Sequence, residues 1–443
     1  KPSSDTGSQV IVSGVPVATM AARDYFRYKK SLVPSIMEAY GRLDRKYDII
    51  VIEGAGSPAE INLKSDDIVN MGMARMAKAP VLLAGDIDRG GVFAQLYGTV
   101  MLLEPEERKM VKGLIINKFR GDKSILDPGV EMIEDLCRIP VVGVTPYMDV
   151  DIEDEDSLSS RLTAIFPGER QEHGVFADIA VIRFPRLSNF TDFHVLSAMK
   201  GASVRYVSRS SELGRPDMII LPGTKNTMGD LLWMRQNGLE ALILKAAAKG
   251  TPIWGICGGY QMLGETLSDP YGVEAGGTIP GMGLLPMDTV FTSQKTRTRV
   301  EGTFCPVRGK LAGLSGVPLE GYEIHMGQTT GRDGLGALTD LCDTIAASHT
   351  HGADGPVQGR KLDGAWKDQV YGSYVHGIFD REEAAKALVM ALGEAKGIDM
   401  SEAEAVDFQA FKETQYDLLA AALREHLDME KIYRILEEGA DVK

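Results

Sequence analysis

A cysteine set between glycines, in Gly255-Ile256-Cys257-Gly258-Gly259, restricts the folding choices of this chain more than any other stretch. The short apolar run Pro252-Ile253-Trp254 leads into it, and a helix-compatible stretch continues to Gly264. This layout predicts a nucleophile elbow, a sharp strand-to-helix turn that holds a reactive side chain above a sheet. Glycines on both sides permit a strained backbone and leave room over the sulfur. A helix N-terminus beyond the turn would favour the thiolate, which is the nucleophile. An inert buried cysteine beside a glycine-rich turn would read the same way, since free cysteines are often buried.

A thiolate of this kind needs a base. Among the seven histidines the best placed is His376, in Tyr371-Gly-Ser-Tyr-Val-His376-Gly-Ile-Phe379, where alternating small and apolar residues deliver it at a strand end. Alone it reads equally well as a satisfied core histidine. Paired with a cysteine elbow far upstream, it points to acyl transfer through a thioester.

The remainder of the chain fits an α/β enzyme. Its 443 residues are enough for two or three domains, with 44 % hydrophobic and 25 % charged residues. No apolar run approaches a membrane span and no signal peptide opens the sequence. The four cysteines, Cys137, Cys257, Cys305 and Cys342, lack metal-ligand spacing, which suggests a reducing cytoplasm. A net charge of -14 argues against a nucleic-acid partner. The first third is nearly balanced in charge, so if the substrate is anionic its expected place is there.

In that first third, Tyr25–Leu43 reads as an amphipathic helix, followed by an apolar strand at Tyr47–Ile52. A helix at Val69–Lys78, a strand at Pro80–Ala84, a helix at Gly91–Leu103 and strands at Gly113–Asn117 and Val141–Val144 follow. Such alternation predicts a doubly wound α/β layer with ligands beyond the strand C-termini. Glu53, Asp86, Asp88 and Asn117 stand at those ends, and strand-end carboxylates suit Mg²⁺ bound with phosphate oxygens. Each also reads as a solvated acid or amide. Asp149–Asp156 is dense in acids and reads as a linker, without the glycine or register of a calcium loop.

A second α/β domain begins with strands at Ile179–Phe184, Val204–Ser208 and Met218–Leu221. Alternation over Thr289–Phe304 suggests a hairpin, and Gly321–Gly327 reads as a strand. His349 and His351 alternate without a third ligand and read as surface loop. From Glu382 onward the pattern is helical, with a capping box at Ser401–Glu404 and an i+4 repeat at Leu419, Leu423 and Leu427. The expected division is a first α/β domain at 1–148, an acidic linker at 149–173, an elbow domain at 174–385 and a helical tail at 386–443.

Gly-Ile-Cys257-Gly-Gly-Tyr-Gln261 with the late His376 resembles class I glutamine amidotransferase domains. Further stretches, Glu53-Gly-Ala-Gly-Ser-Pro-Ala-Glu-Ile-Asn-Leu63, Asp86-Ile-Asp-Arg-Gly-Gly91, Asn117-Lys-Phe-Arg-Gly-Asp122, Leu221-Pro-Gly-Thr-Lys225 and Gly321-Tyr-Glu-Ile-His-Met-Gly327, are together similar to the cobyric acid synthase family over essentially the whole chain. The resemblance implies two doubly wound α/β domains, one synthetase-like and one amidotransferase-like, with ATP and Mg²⁺ serving the first. It implies Cys257 as nucleophile and His376 as acid/base. Backbone N–H groups around Gly223, Thr224 and Gly258 would form the oxyanion hole, and Gln261 would bind glutamine. Glu53, Asp86, Asp88 and Asn117 become nucleotide and magnesium residues, with Glu53 the metal candidate.

By the same resemblance the substrates are glutamine and an anionic corrinoid, adenosylcobyrinic acid a,c-diamide, amidated at carboxylates b, d, e and g. Lys64, Arg75, Arg89, Arg120 and Lys123 are the basic candidates for holding it. Ammonia would need a dry route, because ammonium in water is no nucleophile. The family's phosphate loop, Gly-x-x-x-x-Gly-Lys-Ser/Thr, does not occur in the sequence, which reads as the family without its first segment. ATP use is therefore expected to be weak and glutamine hydrolysis poorly coupled. Many class I domains orient the histidine with a glutamate two residues downstream, where this chain has Ile378. The orienting group is left to a backbone carbonyl, a water or a remote side chain. The competing readings are the sister enzyme cobyrinic acid a,c-diamide synthase, a non-catalytic ligand-binding relative, and a cysteine hydrolase acting on peptides.

Overall fold

The computed structural model describes residues 7–13, 15–152, 177–199, 201–344, 360–398 and 408–440. His349, His351, the capping box at Ser401–Glu404 and half of the Asp149–Asp156 run lie outside them. The chain divides into two compact units, Lys1–Asp151 with Glu413–Lys443, and Ile152–Lys412.

The first unit holds a small hairpin of β1 (Gly7–Val12) and β2 (Val15–Ala21). Its main sheet has three parallel strands, β3 (Val81–Asp86), β4 (Val111–Phe119) and β5 (Val141–Pro146), in the order β3-β4-β5. The helix Val92–Leu102 lies between β3 and β4, and Lys123–Cys137 between β4 and β5, as parallel pairing requires. Leu114 and Ile116 of the central strand are fully buried against Leu96 and Val100 of the first helix and Ile133 of the second. The C-terminal helices Phe408–His426 and Met429–Glu438 return to this unit from Glu413 onward. Leu427 forms a bridge to Gly143 of β5, and the Asp428 N–H donates to Val142 at 2.8 Å.

Two expectations for this unit need correction. Tyr47–Ile52 is not a strand: Val51 is 91 % exposed and the segment pairs with no sheet. Apolar content makes a strand only where a segment hydrogen-bonds to a neighbouring edge, and this one lies against none, although β3 pairs on the β4 side alone. The single helix expected over Tyr25–Leu43 is broken into Ala22–Tyr28, a 3₁₀ turn at Lys29–Leu32 and a second helix, Val33–Asp44. Pro34 lacks an N–H and so belongs in a first turn, where that N–H would be unpaired anyway.

The second unit is built on a 12-stranded mixed sheet. Its parallel part contains β6 (Ala177–Ile182), β7 (Ala202–Val207), β8 (Met218–Leu221) and β9 (Ile253–Ile256), ordered β7-β6-β8-β9. All residues of β8 and β9 are buried, the near-continuous apolar pattern of strands covered on both faces. Short strands β10 (Thr266–Asp269) and β11 (Gly277–Pro280) close one edge. Beyond them come β12 (Met287–Phe304), β13 (Pro318–Gly331), β14 (Gly336–Asp343), β15 (Arg360–Lys367), β16 (Val370–Ser373) and the two-residue β17 (Val375–His376). β16 runs parallel to β9, so the chain ends of β8, β9 and β16 emerge side by side.

The expected hairpin within Thr289–Phe304 is instead one long strand, β12, whose antiparallel partner is β13. The residues between Phe291 and Thr296 are absorbed as a bulge opposite Met326 alone. Helix Glu382–Glu394 packs Ala384, Ala385, Leu388 and Val389 into the core of this unit. Trp254 anchors that core, stacked on Tyr371 at 5.7 Å between ring centroids and tilted against Phe379 at 5.0 Å.

Candidate active site

Cys257 follows β9 directly and opens the short helix Gly258–Met262. Its backbone, at φ 51° and ψ -107°, occupies a region that side-chain-bearing residues rarely adopt. The strain sits on the cysteine itself, and its N–H is held by Ser373 of β16 at 2.9 Å. The surrounding glycines serve close packing instead. A Cβ on Gly259 would lie 1.9 Å from the Leu221 carbonyl oxygen, one on Gly255 2.6 Å from Tyr260 Cα, and one on Gly258 2.7 Å from Thr224 Cγ2. The turn thus presses against β8 and the loop after it, as a nucleophile elbow requires.

His376 ends β17 and is buried, at 1 % exposure. The structure brings it near the sulfur, close enough for the two groups to interact electrostatically. Its Nδ1 bonds Asp192 Oδ2 at 2.7 Å, and the second carboxylate oxygen of Asp192 accepts the Gly377 N–H at 3.2 Å. Asp192 is itself buried, at 4 % exposure, in the 3₁₀ turn Phe190–Phe193 that follows β6. Burial pulls the imidazole toward neutrality, but the Asp192 carboxylate and Cys257 outweigh it and push the ring up to about 10. The resting histidine is therefore held as the imidazolium, clamped between an acid and the sulfur.

Sequence reasoning missed Asp192. The orienting group is a remote side chain, 184 residues before the histidine. The available signal was Asn189-Phe-Thr-Asp-Phe193, a polar interruption directly after a buried strand. The position two residues beyond the histidine is Ile378, which packs into the core at 1 % exposure.

Tyr322 covers the other side of the imidazole. It is directly opposite His376 in the β13–β17 register, and the rings stack at 5.4 Å. Asn189 donates to its hydroxyl. The neighbouring Ile324 carbonyl lies 3.7 Å from Cys257 Sγ. Glu323 and His325 point to the opposite face of β13: Glu323 is fully buried on Lys361, and His325 stacks on Tyr374 at 3.7 Å. Burial raises the Glu323 carboxyl and lowers the His325 imidazole, so neither carries a full charge easily.

The expected oxyanion residues converge here. Gly223 lies under the imidazole, where a Cβ would meet His376 Cε1 at 2.7 Å, and a Cβ on Gly258 would stand 3.3 Å from the Thr224 nitrogen. The loop is fixed by Ser188 N–H on the Gly223 carbonyl at 2.9 Å and by Thr224 Oγ1 on buried Asp230. Gln261 is buried one layer back, with Oε1 accepting from Thr227 at 3.1 Å and Nε2 donating to Tyr374 at 3.2 Å.

In the first unit, Asp86 ends β3 and bonds Lys118 at 2.8 Å, which holds its carboxyl below the usual range. The Asp88 N–H also donates to Asp86, and Asp88 pairs with Arg120 at 3.1 Å, whose guanidinium lies 3.5 Å over the Tyr147 ring. Asn117 Oδ1 accepts from the Lys118 N–H at 2.9 Å and from Thr145 Oγ1 at 2.6 Å. Glu53 is exposed in a loop tethered by Asn70, which accepts the Ala55 N–H at 3.1 Å. Of the basic candidates, Lys64 and Arg75 both reach buried Glu107, at 2.7 Å and 3.7 Å, and Lys123 pairs with Asp127 at 2.5 Å. Among the described residues no group of three or more His, Cys, Asp or Glu gathers as a metal cluster, and no helix is long and apolar enough to cross a membrane.

A strained cysteine elbow, a buried histidine held by an acid and converging turns at the strand ends of an α/β sheet are the features of an enzyme class that works through a cysteine nucleophile. A profile for the CobB/CobQ-like glutamine amidotransferase domain matches residues 178–384, and one for an AAA domain matches 18–153. A cobyric acid synthase of Ruminiclostridium cellulolyticum is 56 % identical over 441 residues, covering 100 % of this chain and 83 % of the relative. One of Lachnoclostridium phytofermentans is 56 % identical over 443 residues, 99 % of this chain and 84 % of its own. One of Photorhabdus laumondii is 48 % identical, covering 99 % and 83 %. This chain belongs to the cobyric acid synthase family, glutamine-dependent ligases of cobalamin biosynthesis.

Proposed function

We propose that the second unit hydrolyses glutamine through a Cys257 thioester and that the nitrogen amidates carboxylates b, d, e and g of adenosylcobyrinic acid a,c-diamide. The observation that carries this reading is the Asp192–His376–Cys257 line at a strained elbow. Cys257 Sγ attacks the side-chain amide carbon, and the tetrahedral oxygen turns toward the N–H groups of the Gly223–Thr224 turn and Gly258. His376 passes its proton to the departing nitrogen, so ammonia leaves and the acyl group stays on sulfur. Water, deprotonated by the now neutral imidazole, then releases glutamate. Asp192 keeps Nδ1 protonated and Nε2 aimed at the sulfur throughout. Gln261 supports the pocket wall through Thr227 and Tyr374. Ammonia must reach the acceptor without equilibrating with bulk water, since the protonated form cannot attack.

The first unit would use ATP to activate the acceptor carboxylate. Asp86, ionised at a strand end with Asp88 beside it, fits a magnesium ion that takes one or two carboxylates and phosphate oxygens. That ion would neutralise charge on the transferring phosphoryl group. Lys118 and Arg120 pair with these acids at 2.8 Å and 3.1 Å, and Glu53 and Asn117 would complete the nucleotide site.

The test uses the diazo-ketone analogue of glutamine. It should label Cys257 alone, as read by peptide mass spectrometry, and Cys257→Ser should abolish both labelling and glutaminase activity. Labelling elsewhere, or glutamine hydrolysis surviving in Cys257→Ser, overturns the assignment.

A further inference from the structure

One hydrogen bond from Nδ1 to Asp192 fixes a single atom of the His376 ring and leaves the ring plane free to tilt about it. Ile378, two residues on, is packed in the core and carries no group that could hold an imidazole. Tyr322 supplies the second restraint. It stands directly opposite His376 in the β13–β17 register, and the two rings lie 5.4 Å apart at 23°. The strands are pressed together at this point: a Cβ on Gly321 would stand 2.2 Å from the His376 carbonyl oxygen. A ring face within roughly 6 Å of a cation attracts it, and the same face blocks the tilt.

The tyrosine is itself held. Asn189 donates its side-chain amide to the Tyr322 hydroxyl, and burial pushes the phenol up to about 12, so the hydroxyl stays neutral. Asn189 caps the 3₁₀ turn Phe190–Phe193 at φ 54°, a left-handed backbone that asparagine tolerates better than most residues. The same turn carries Asp192, whose N–H donates to the Asn189 carbonyl at 3.1 Å. One short turn therefore grips His376 twice, directly through Asp192 and indirectly through Asn189 and the tyrosine ring. We infer that Tyr322, seated by Asn189, is a positioning residue that fixes the plane of the His376 imidazole for proton transfer. This rests on the glutaminase reading above and adds a residue that acts through the histidine.

The test measures glutamine hydrolysis per active site, with sites titrated by the diazo-ketone analogue of glutamine. Tyr322→Phe keeps the ring and loses the Asn189 bond, while Asn189→Gly loses the same bond and still accepts the left-handed backbone. Each should lower kcat roughly 3- to 10-fold, the loss of one hydrogen bond, with KM for glutamine within about twofold. Because the two variants break one link, the double variant should be no slower than the slower single. Tyr322→Leu removes the stack as well and should lower kcat roughly 10- to 100-fold, as misplacing a catalytic group does. A tyrosine that only packs would reduce the fraction of titratable sites and leave kcat per site alone. That result in Tyr322→Leu overturns the proposal, as does a rise in KM at steady kcat or a double variant whose losses multiply. If the unaltered protein hydrolyses no glutamine, the glutaminase reading fails and takes this proposal with it.

Discussion

Asp192 is where chemistry and stability meet on one side chain. Its carboxylate holds a nearly solvent-free imidazole in the charged form, against the pull of burial. Asp192→Asn keeps the shape, removes the charge and offers Nδ1 the wrong partner. We expect kcat for glutamine hydrolysis to fall by roughly 10² to 10⁴, as removal of an orienting acid does in other triads. Stability should change in the same sense. A group whose folded pKa is raised, here from 6.5 to about 10, stabilises the fold fully below pH 6.5 and loses that contribution as pH climbs to about 10. The melting-temperature gap between wild type and Asp192→Asn should be widest below pH 6.5 and close toward pH 10. A pH-independent gap would mean the acid serves packing alone.

Among the elements, the elbow depends on how closely its helix approaches β8. At Gly259 a single methyl would sit 1.9 Å from the Leu221 carbonyl oxygen, against backbone that cannot rotate away. Gly259→Ala should therefore cost several kcal/mol, of the order of a severe overpacking defect. Loss of Cys257 alkylation together with a melting temperature lowered by several degrees is the expected result, checked by calorimetry and thiol titration. Unchanged melting would show that the elbow can relax. The β12–β13 pair carries the other wall of the site, with Ile324 and Tyr322 reaching the catalytic groups. Its register is what turns an ordinary strand motif, Gly321–Gly327, into part of the site.

For the whole molecule, the C-terminal residues from Glu413 belong with the first unit, although the second separates them in sequence. Their seat is Gly143, where a Cβ would stand 2.4 Å from Leu427 Cδ2 and 2.6 Å from the His426 carbonyl. Gly143→Val should expel Leu427 from β5 and destabilise the first unit by about 2–4 kcal/mol. The second unit has its own core, so alkylation of Cys257 at moderate temperature should be unaffected. Calorimetry should show one transition shifted down and another unmoved. A parallel loss of thiol reactivity would contradict independent cores.

Local chemistry was legible in the chain itself. Gly-Ile-Cys257-Gly-Gly suggests an elbow because small residues let a side chain project between crowding backbones, and His376 at the end of an apolar run is the matching candidate for its base. The parallel strands of both units were readable from apolar runs such as Met218–Leu221, since burial on both faces demands them. What required the fold was everything set by neighbours distant in sequence. Asp192 becomes part of the site only because the 3₁₀ turn after β6 reaches His376 and Gly377 at the end of β17. Tyr47–Ile52 is not a strand because it pairs with no sheet, and Thr289–Phe304 finds its partner from residue 318 onward instead of within itself. Sequence specifies which groups can react and which surfaces must be buried. Which acid meets which histidine is decided by strand order and register, because hydrogen-bonded ladders bring together residues that no local pattern connects.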